Sequence, residues 1–273
     1  MDSAARPSLD LTVLVITKNE SRNIAGCLQS VEWVPRRLVI DAESTDDTVH
    51  EAQAQGAEVF VRPWPGYGPQ KNFGLDQARS EWVLIVDADE RITPALETEI
   101  RRTLAPPVAV DVAGFEIPRR NHFYGRCIQH GGMYPDYQLR LIRRTLCRYD
   151  DTRLHERLVA QGRVVRLAEP MDHLTMPTIG HHAKKIALYS TLGAEEKLKR
   201  QARVTAGAIA GNHVGTILKT YVLRGAIRDG VHGLIVSIFA GMFTFLKYAK
   251  AWEAQVPPVV EPTERGGGRA ARH

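Results

Sequence analysis

The first 110 residues alternate between short apolar runs rich in β-branched residues and segments with helical periodicity. Such alternation is typical of βαβ units, and near-continuous apolar strands are typical of a parallel sheet covered on both faces. We predict strands at 11–16, 38–40, 58–61 and 82–86. We predict helices at 21–31, at 44–55 with Ser44 as N-cap, at 70–78, and from Pro94 onward. The sequence therefore predicts an α/β fold with a mostly parallel sheet and helices on both faces.

Beyond residue 110 the regularity fades. Short strands are predicted at 112–117, 138–142 and 163–167, and a long helix at 181–203. Four apolar residues of this helix are predicted to face inward, namely Ile186, Tyr189, Leu192 and Leu198. The two histidines that open it, His181 and His182, are interpreted as surface or lipid-proximal residues.

An apolar segment at 230–246 contains no residue that could carry a charge except His232. Its 17 residues lie at the lower limit of the roughly 17–25 that span a bilayer. Basic residues stand on both sides of it, which favours a helix lying at a membrane interface. A core helix and a membrane-spanning helix are the alternatives. The chain ends, 1–10 and 255–273, are predicted to be disordered.

Positive charge is concentrated in residues 181–250, which contain eleven Lys or Arg and three acidic residues. The whole chain has a net charge of +5 and a pI of about 9.2. A nucleic acid or an anionic membrane would complement this charge. The segment has no recognisable nucleic-acid motif, and its charges alternate with large apolar residues. We therefore expect an anionic membrane surface as partner and no nucleic acid.

Cysteine usage and the N-terminus indicate the compartment. Cys27, Cys127 and Cys147 are far apart and form neither a CxxC pair nor a zinc-binding spacing. The first seven residues are polar and contain no signal-peptide pattern. Both observations favour a cytoplasmic protein with reduced thiols.

The run 82–86 ends in Asp87-Ala88-Asp89. Two carboxylates at positions i and i+2 of an extended chain point to the same side. Mg²⁺ and Mn²⁺ prefer oxygen ligands from one or two carboxylates together with phosphate. Ligands of open α/β sheets bind outside the carboxyl ends of the strands. The motif therefore predicts a divalent cation that carries a diphosphate.

Two further polar segments follow predicted strands: Thr-Lys-Asn-Glu at 17–20 and an Asp/Ser/Thr-rich segment at 41–48. A third, Lys71-Asn72, lies in the third crossover. Together with the DxD motif, this ordered set resembles the donor half of inverting glycosyltransferases of family 2, which have the Rossmann-like GT-A fold. Residues 122–126, 130–136, 140–144, 154–156 and 247–252 are similar to the lipopolysaccharide-core β-1,4-glucosyltransferase branch.

The resemblance implies an organisation of the chain. Residues 11–110 would form the nucleotide-sugar-binding half of the GT-A domain, and 111–180 the acceptor-binding half. Residues 181–254 would form a basic, amphipathic helical extension that associates with the membrane.

The resemblance also implies a donor pocket. Asp41 would accept hydrogen bonds from the ribose or the base, and Lys71 would offset diphosphate charge or contact the base. The full set of donor-binding residues is Thr17, Asn19, Glu20, Asp41, Ser44, Lys71 and Asp87. Turn and cap chemistry is the alternative for most of them.

The implied metal is Mg²⁺ or Mn²⁺. Asp89 would bind it directly, and Asp87 would act directly or through ribose or water. His173 resembles the late histidine that completes the metal site in GT-A enzymes, and imidazole suits Mn²⁺ better than Mg²⁺. A hydrogen-bonded structural histidine is the alternative for His173.

Inversion by direct displacement requires a base that takes the proton of the acceptor hydroxyl. Two carboxylates compete for this role. Glu156 falls where the family usually places its acidic base motif, and Asp136 is better placed to hold the acceptor. Salt bridges to nearby arginines are the alternative for both.

The expected activity is transfer of a hexose, with glucose as first choice, from a UDP-sugar to a heptose of lipid A–core. The enzyme would lie peripherally on the cytoplasmic face of the inner membrane. A polyprenyl phosphate acceptor is one alternative, and it would need no base. A nucleotidyltransferase is disfavoured because residues 17–22 contain no glycine. A non-catalytic membrane-associated module that binds nucleotide sugar is the alternative from another class.

Overall fold

The computed structural model of the chain describes residues 9–150, 157–199 and 203–256. Most of the two chain ends predicted to be disordered lies outside these ranges. The strands, in chain order, are β1 (Leu11–Thr17), β2 (Arg36–Asp41), β3 (Glu58–Val61), β4 (Trp82–Ile85), β5 (Glu90–Arg91), β6 (Val112–Phe123), β7 (Arg126–Cys127), β8 (Asp136–Arg143), β9 (Cys147–Tyr149), β10 (Leu158–Ala160), β11 (Arg163–Arg166) and β12 (Met171–Met176).

The α-helices are α1 (Ile24–Gln29), α2 (Thr48–Ala54), α3 (Tyr67–Gln77), α4 (Pro94–Leu104), α5 (Ile179–Lys199), α6 (Ala206–Leu218) and α7 (Gly230–Glu253). A π-helical turn (Lys219–Leu223) and a 3₁₀ turn (Ala226–Asp229) connect α6 to α7.

The main sheet has the strand order β3-β2-β1-β4-β8-β6-β12-β5. The first four strands are parallel, which confirms the predicted βαβ half. The second half is mixed, because β8 is antiparallel to both β4 and β6 while β12 is parallel to β6. Side chains of β1 alternate between two cores, with Val13 and Val15 on one face and Leu14 on the other. The sheet is therefore covered on both faces, as predicted.

Helix starts follow local hydrogen bonding. Pro94 opens α4 as predicted, and the Thr93 side chain caps it by accepting from the Leu96 N–H. Helix α3 begins at Tyr67, three residues before the predicted start. Pro69 lies in the first turn of α3, where a proline is tolerated because the N–H groups of that turn have no intrahelical partner.

Strand β6 continues six residues beyond the predicted end at 117. Pro118 lacks an N–H, yet it remains in register opposite Tyr137, and Arg119 then lies opposite Asp136. The unpredicted strands β5 and β12 pair so that His173 lies opposite Glu90. The Leu174 N–H also donates to the Asp89 carbonyl over 2.8 Å. This short pairing brings the DxD segment beside His173.

In the helical extension, α7 packs parallel to α5 and antiparallel to α6. The ring of His182 on α5 stacks on Phe239 of α7 at 4.3 Å between centroids. Thr216 of α6 donates to Thr244 of α7 over 3.3 Å.

The inward face of α5 differs from the prediction. Its buried residues are His182, Ile186, Ser190 and Ala194, which recur every fourth position. Tyr189 and Leu192 are exposed, so their predicted inward orientation is wrong, whereas Leu198 packs partly against a small core. The prediction of His182 as a surface residue is also wrong. Small side chains on this face let α5 and α7 approach closely.

The extension is bonded to the sheet domain through Asp229. Its buried carboxylate accepts the backbone N–H groups of Gln129 and His130 over 3.4 and 3.0 Å. The Gly131 N–H donates to the Arg224 carbonyl over 2.9 Å. The loop before β8 is thus held by residues nearly one hundred positions later.

Candidate active site

The loops after β1 and β2 form one hydrogen-bonded unit at the carboxyl edge of the sheet. Asn19 has a left-handed backbone (φ 55°), a conformation that asparagine tolerates. Its N–H donates to Ser44 Oγ over 2.8 Å, and its side-chain oxygen accepts the Thr45 N–H over 2.8 Å. The Glu20 N–H donates to Thr48 Oγ1 over 2.8 Å. The two motifs that the sequence placed at neighbouring strand ends are therefore in contact.

Asp41 organises this unit. Its buried carboxylate accepts the Ser44 N–H over 2.8 Å and the Ser44 hydroxyl over 2.5 Å. The prediction that Ser44 is the N-cap of α2 is therefore wrong. Its hydroxyl donates a hydrogen bond to Asp41, and α2 begins only at Thr48. Instead, Asp46 accepts the Thr48 N–H over 3.1 Å. Ser44, which is half-buried, is the more accessible of the Asp41–Ser44 pair.

Two side chains beside this unit carry signs of a ligand-binding role. The buried Thr17 Oγ1 has no hydrogen-bond partner among the described residues. Burial raises the pKa of Glu20, and the nearby Asp89 carboxylate raises it further, although a hydrogen bond from Asn23 opposes both. Lys185, on α5, lies close enough to lower the pKa of Glu20 and of Asp89. Lys185 was not predicted from the sequence as a site residue.

Asp87 belongs to a buried network of charges that the sequence analysis missed. Arg140 donates to the carboxylates of both Asp87 and Glu90. Glu90 accepts from Arg119 over 3.2 Å, and its other oxygen accepts the Asp87 N–H over 2.9 Å. Burial opposes ionisation of Asp87, but Arg140 and then Lys71 hold its pKa well below the usual range. Asp87 is thus fixed as an anion at the end of β4.

Asp89 and His173 face each other. Asp89 Oδ2 lies 3.3 Å from His173 Nε2, and the other ring nitrogen lies 2.7 Å from Asn121 Oδ1. Although burial acts to raise it, His173 holds the pKa of Asp89 below its usual value. Within residues 9–150, 157–199 and 203–256, no three His, Cys, Asp or Glu side chains form a ready metal cluster. The chain therefore offers a carboxylate and an imidazole, which fits a cation that takes its remaining ligands from phosphate oxygens.

Lys71 lies on α3 beneath the same edge. Its Nζ is 5.1 Å from the ring centroid of Tyr149, and the side chain is buried. Because Lys71 lowers the pKa of Asp87, its positive charge acts on the DxD segment. The position of the Lys71 ammonium group agrees with the expectation that this side chain faces a diphosphate.

Asp136, one of the two candidate bases, lies at the start of β8 and is held by several hydrogen bonds. It accepts two hydrogen bonds from Arg119, over 3.0 and 2.6 Å, and one from Gln138 over 2.8 Å. Burial acts to raise its pKa, but Arg119 keeps it below the usual value. A carboxylate held in this way is a weak proton acceptor and a good hydrogen-bond acceptor. Glu156 lies outside the described residues.

The parallel half ending in Asp87 and Asp89, followed by a mixed half that contributes His173, defines the GT-A class of fold. Residues 12–158 match the model of the family described as "Glycosyl transferase family 2", and this chain belongs to that family. It is therefore a glycosyltransferase.

Two relatives are similar to this chain along most of its length. The lipopolysaccharide core biosynthesis glycosyltransferase LpsC of Rhizobium meliloti (strain 1021) is 28% identical over 254 residues, which cover 90% of this chain and 93% of LpsC. The uncharacterized glycosyltransferase RP128 of Rickettsia prowazekii is 28% identical over 88% of this chain and 86% of its own length.

Among solved structures, glucosyl-3-phosphoglycerate synthase from Mycobacterium tuberculosis, in complex with Mn²⁺, UDP and glucosyl-3-phosphoglycerate, matches with 23% identity and a TM-score of 0.35. That match covers 41% of this chain and less than half, 44%, of the synthase. A crystal structure described as a mycobacterial protein matches 68% of this chain and 74% of its own length, with 19% identity and a TM-score of 0.44.

Proposed function

We propose that this glycosyltransferase moves a hexose, with glucose as first choice, from a UDP-sugar to a hydroxyl of a lipopolysaccharide-core heptose or a related glycolipid, with inversion and with Mn²⁺ or Mg²⁺. The observation that carries the proposal is the Asp89–His173 pair, at the edge where Asp41, Ser44 and Lys71 also converge. Asp87 stands beside them as a fixed anion.

Each group has a distinct task in this proposal. The Asp41–Ser44 unit holds the nucleoside, Lys71 faces the diphosphate, and Asp89 with His173 holds the cation. When bound, the cation neutralises charge on the departing nucleoside diphosphate. Asp136, fixed by Arg119, orients the acceptor, while Glu156 takes the proton of its hydroxyl.

The similarity to LpsC supports the choice of acceptor, because it covers nine-tenths of this chain and extends past the donor half. Assays of Glu156→Gln and Asp136→Asn with glycolipid acceptor test it. Loss of turnover agrees with a hydroxyl acceptor that needs a base and a positioning carboxylate. Full turnover in both variants would favour a polyprenyl phosphate, whose oxygen is already an anion.

UDP release from a panel of UDP-sugars, with and without Mn²⁺, is the first experiment. We expect metal-dependent release from one sugar in the wild type and its loss in Asp89→Ala. Asp47→Ala is the matched control, because this exposed carboxylate makes no capping hydrogen bond to α2. Absence of UDP binding by the wild type would contradict the proposal.

We also propose that the helical extension holds the enzyme on the anionic cytoplasmic leaflet. Large apolar side chains are exposed along α6, the connecting turns and α7, including Leu218, Val222, Leu223, Ile227, Val231 and Leu234. Arg224 and Arg228 lie among them, which suits an anionic surface.

In the described part of the chain, one helical stretch, Ala226–Glu253, is long and apolar enough to cross a membrane. A third (33%) of its most apolar window is buried inside the protein, much of it against α5 and α6. We therefore favour a peripheral position. Extraction of membranes with high salt and with carbonate tests this, since a membrane-spanning helix would resist both treatments.

A further inference from the structure

Asn121 on β6 connects the proposed cation ligands to the acceptor-side loop. Its side chain is buried, and its amide makes three contacts. Oδ1 lies 2.7 Å from His173 Nδ1, and Nδ2 lies 3.0 Å from the Met133 carbonyl oxygen and 3.3 Å from Asp136 Oδ2. Both ends of the amide have hydrogen-bond partners within the protein, and none of these partners is a freely rotating hydroxyl. The partners therefore determine the orientation of the amide.

The chemistry of these partners fixes the tautomer of His173. The Met133 carbonyl can only accept a hydrogen bond, so the NH₂ group of Asn121 must face it. The amide oxygen therefore faces His173, and because that oxygen can only accept, Nδ1 of the ring must carry a proton. In the neutral imidazole, Nε2 is then left with a bare lone pair.

That lone pair points at Asp89, whose Oδ2 is 3.3 Å away. Two electron-pair donors facing each other at this distance repel unless a proton or a cation lies between them. A histidine that ligates a metal through one nitrogen usually donates the N–H of the other to a fixed acceptor. The Asn121–His173–Asp89 arrangement has this form.

We propose that Asn121 is a positioning residue that fixes His173 in the tautomer able to bind the cation and ties that ligand to the loop at Met133. The inference rests on the proposed metal-dependent function and extends it to a residue that touches neither the cation nor the donor. The two ends of the Asn121 amide have separable tasks. Oδ1 accepts a hydrogen bond from His173, and Nδ2 donates one to the Met133 carbonyl of the loop.

Two variants separate these tasks. Asn121→Leu keeps the volume but removes both polar ends, so Mn²⁺ affinity in the presence of UDP should fall about 10- to 100-fold. Asn121→Asp keeps an acceptor oxygen for His173 Nδ1, so Mn²⁺ affinity should stay within about threefold of the wild type. The aspartate cannot donate to Met133, so KM for the acceptor should rise instead. Asn212→Leu, on α6, is the control for loss of an amide elsewhere.

Two readouts on the intact protein decide the inference. Calorimetry gives the Mn²⁺ affinity with UDP present, and ¹⁵N NMR of the metal-free protein reports which nitrogen of His173 carries the proton, with His173→Gln used for assignment. Nδ1–H in the wild type and its loss in Asn121→Leu support the inference. Unchanged Mn²⁺ affinity in Asn121→Leu, or a wild-type His173 that carries a proton on Nε2 but none on Nδ1, overturns it.

Failure of the proposed function would give different results from failure of the inference about Asn121. If the wild type does not bind Mn²⁺ in the presence of UDP, the metal-dependent proposal fails and the inference fails with it. If the wild type and Asn121→Leu bind Mn²⁺ equally while Asp89→Ala does not, the inference alone fails. If Asn121→Leu does not fold, the tautomer of wild-type His173 and the Mn²⁺ affinity of Asn121→Asp still decide.

Discussion

The guanidinium of Arg140 donates a 2.6 Å hydrogen bond to the carboxylate of Glu90, and both side chains are almost fully withdrawn from solvent, at 7% and 0% exposed. A buried charge is stable only when it is paired and hydrogen-bonded. Arg140 also serves Asp87, and Arg119 links Glu90 to Asp136. One ionic network therefore connects Asp87 of the DxD motif to Asp136 at the start of β8.

Glu90→Gln should destabilise the protein by about 3 kcal/mol, because it leaves Arg140 and Arg119 with one carboxylate fewer in a buried place. Urea unfolding followed by circular dichroism measures this. Glu97→Gln is the matched control, since Glu97 pairs with Arg101 on the partly exposed surface of α4 and should cost less than about 1 kcal/mol. Equal effects of the two substitutions would contradict a special role for the network.

His173→Ala should weaken Mn²⁺ binding in the presence of UDP by at least about 100-fold, because it removes one of the two protein ligands that we propose for the cation. Turnover should recover partly when Mn²⁺ is raised in proportion. Titration of activity against Mn²⁺ concentration measures the shift. His50→Ala, at an exposed position on α2, should leave the titration unchanged. A structural role for His173 would instead lower activity equally at every Mn²⁺ concentration.

His182 should make the protein less stable in mild acid. Burial lowers its pKa to about 4, and the positive charge of Lys185 contributes. The unfolded chain, with an ordinary histidine pKa of about 6.5, then binds more protons than the folded chain between pH 6.5 and 4. The stabilisation is therefore complete above pH 6.5 and is lost progressively as the pH falls towards 4.

His182→Gln removes this titration while keeping a polar group opposite the Tyr124 hydroxyl. Between pH 7 and pH 5 the wild type should lose about 2 kcal/mol more unfolding free energy than the variant. Urea unfolding at a series of pH values measures the difference. Parallel pH profiles for the two proteins would show that His182 titrates normally.

Asp229→Ala should loosen the loop before β8, because the N–H groups of Gln129 and His130 lose their carboxylate acceptor. Amide exchange at His130 should accelerate about 10- to 100-fold, in line with the loss of about 1–3 kcal/mol for such a bond. Hydrogen exchange with mass spectrometry resolves this segment. Asp111→Ala, whose carboxylate sits in an exposed pair with Arg163, should leave it unaffected.

Leu223→Asp combined with Val231→Asp should reduce binding to vesicles that contain anionic lipid at least about 10-fold. The two side chains are 81% and 69% exposed, and each would bury apolar area in the bilayer. Vesicle co-sedimentation measures binding, and UDP release should be unchanged. Val110→Asp, at a residue that is 86% exposed on the sheet domain, is the control. If the double variant and the Val110→Asp control lose vesicle binding to a similar extent, the membrane contact lies elsewhere.

Much of the donor half was predictable because its signals are local. A β-branched run such as 11–16 marks a buried strand wherever it occurs, and a Pro after Thr93 marks a helix start. Because the strands are parallel, their polar ends had to meet at one edge. The contact between Asn19 and Ser44 lies at this edge, between the loops that follow the neighbouring strands β1 and β2.

The rest depends on pairings that no local pattern reveals. Strand β5 is two residues long, and its register with β12 is what brings His173 opposite Glu90 and next to Asp89. Glu90, Arg119 and Arg140 look like ordinary surface charges in the sequence. Glu90 and Arg140 are buried and Arg119 is partly buried, because β8 returns antiparallel to β4 and β6. On α5 the buried face combines Ile186, which was predicted correctly, with the small residues Ser190 and Ala194. The large side chains of Tyr189 and Leu192 are exposed instead, so size and apolarity alone did not identify this face.

The bonds from Asp229 and Arg224 to residues 129–131 have a consequence for the construction of chimaeras between relatives. A chimaera joined near residue 180 would combine a loop from one parent with a carboxylate from the other, and the two were never selected together. The loop and the turns that hold it therefore need to be exchanged together. Grafts that carry 128–136 together with 219–229 should fold. Grafts of either stretch alone place a loop and turns from different parents against each other, and the hydrogen bonds between them need not form.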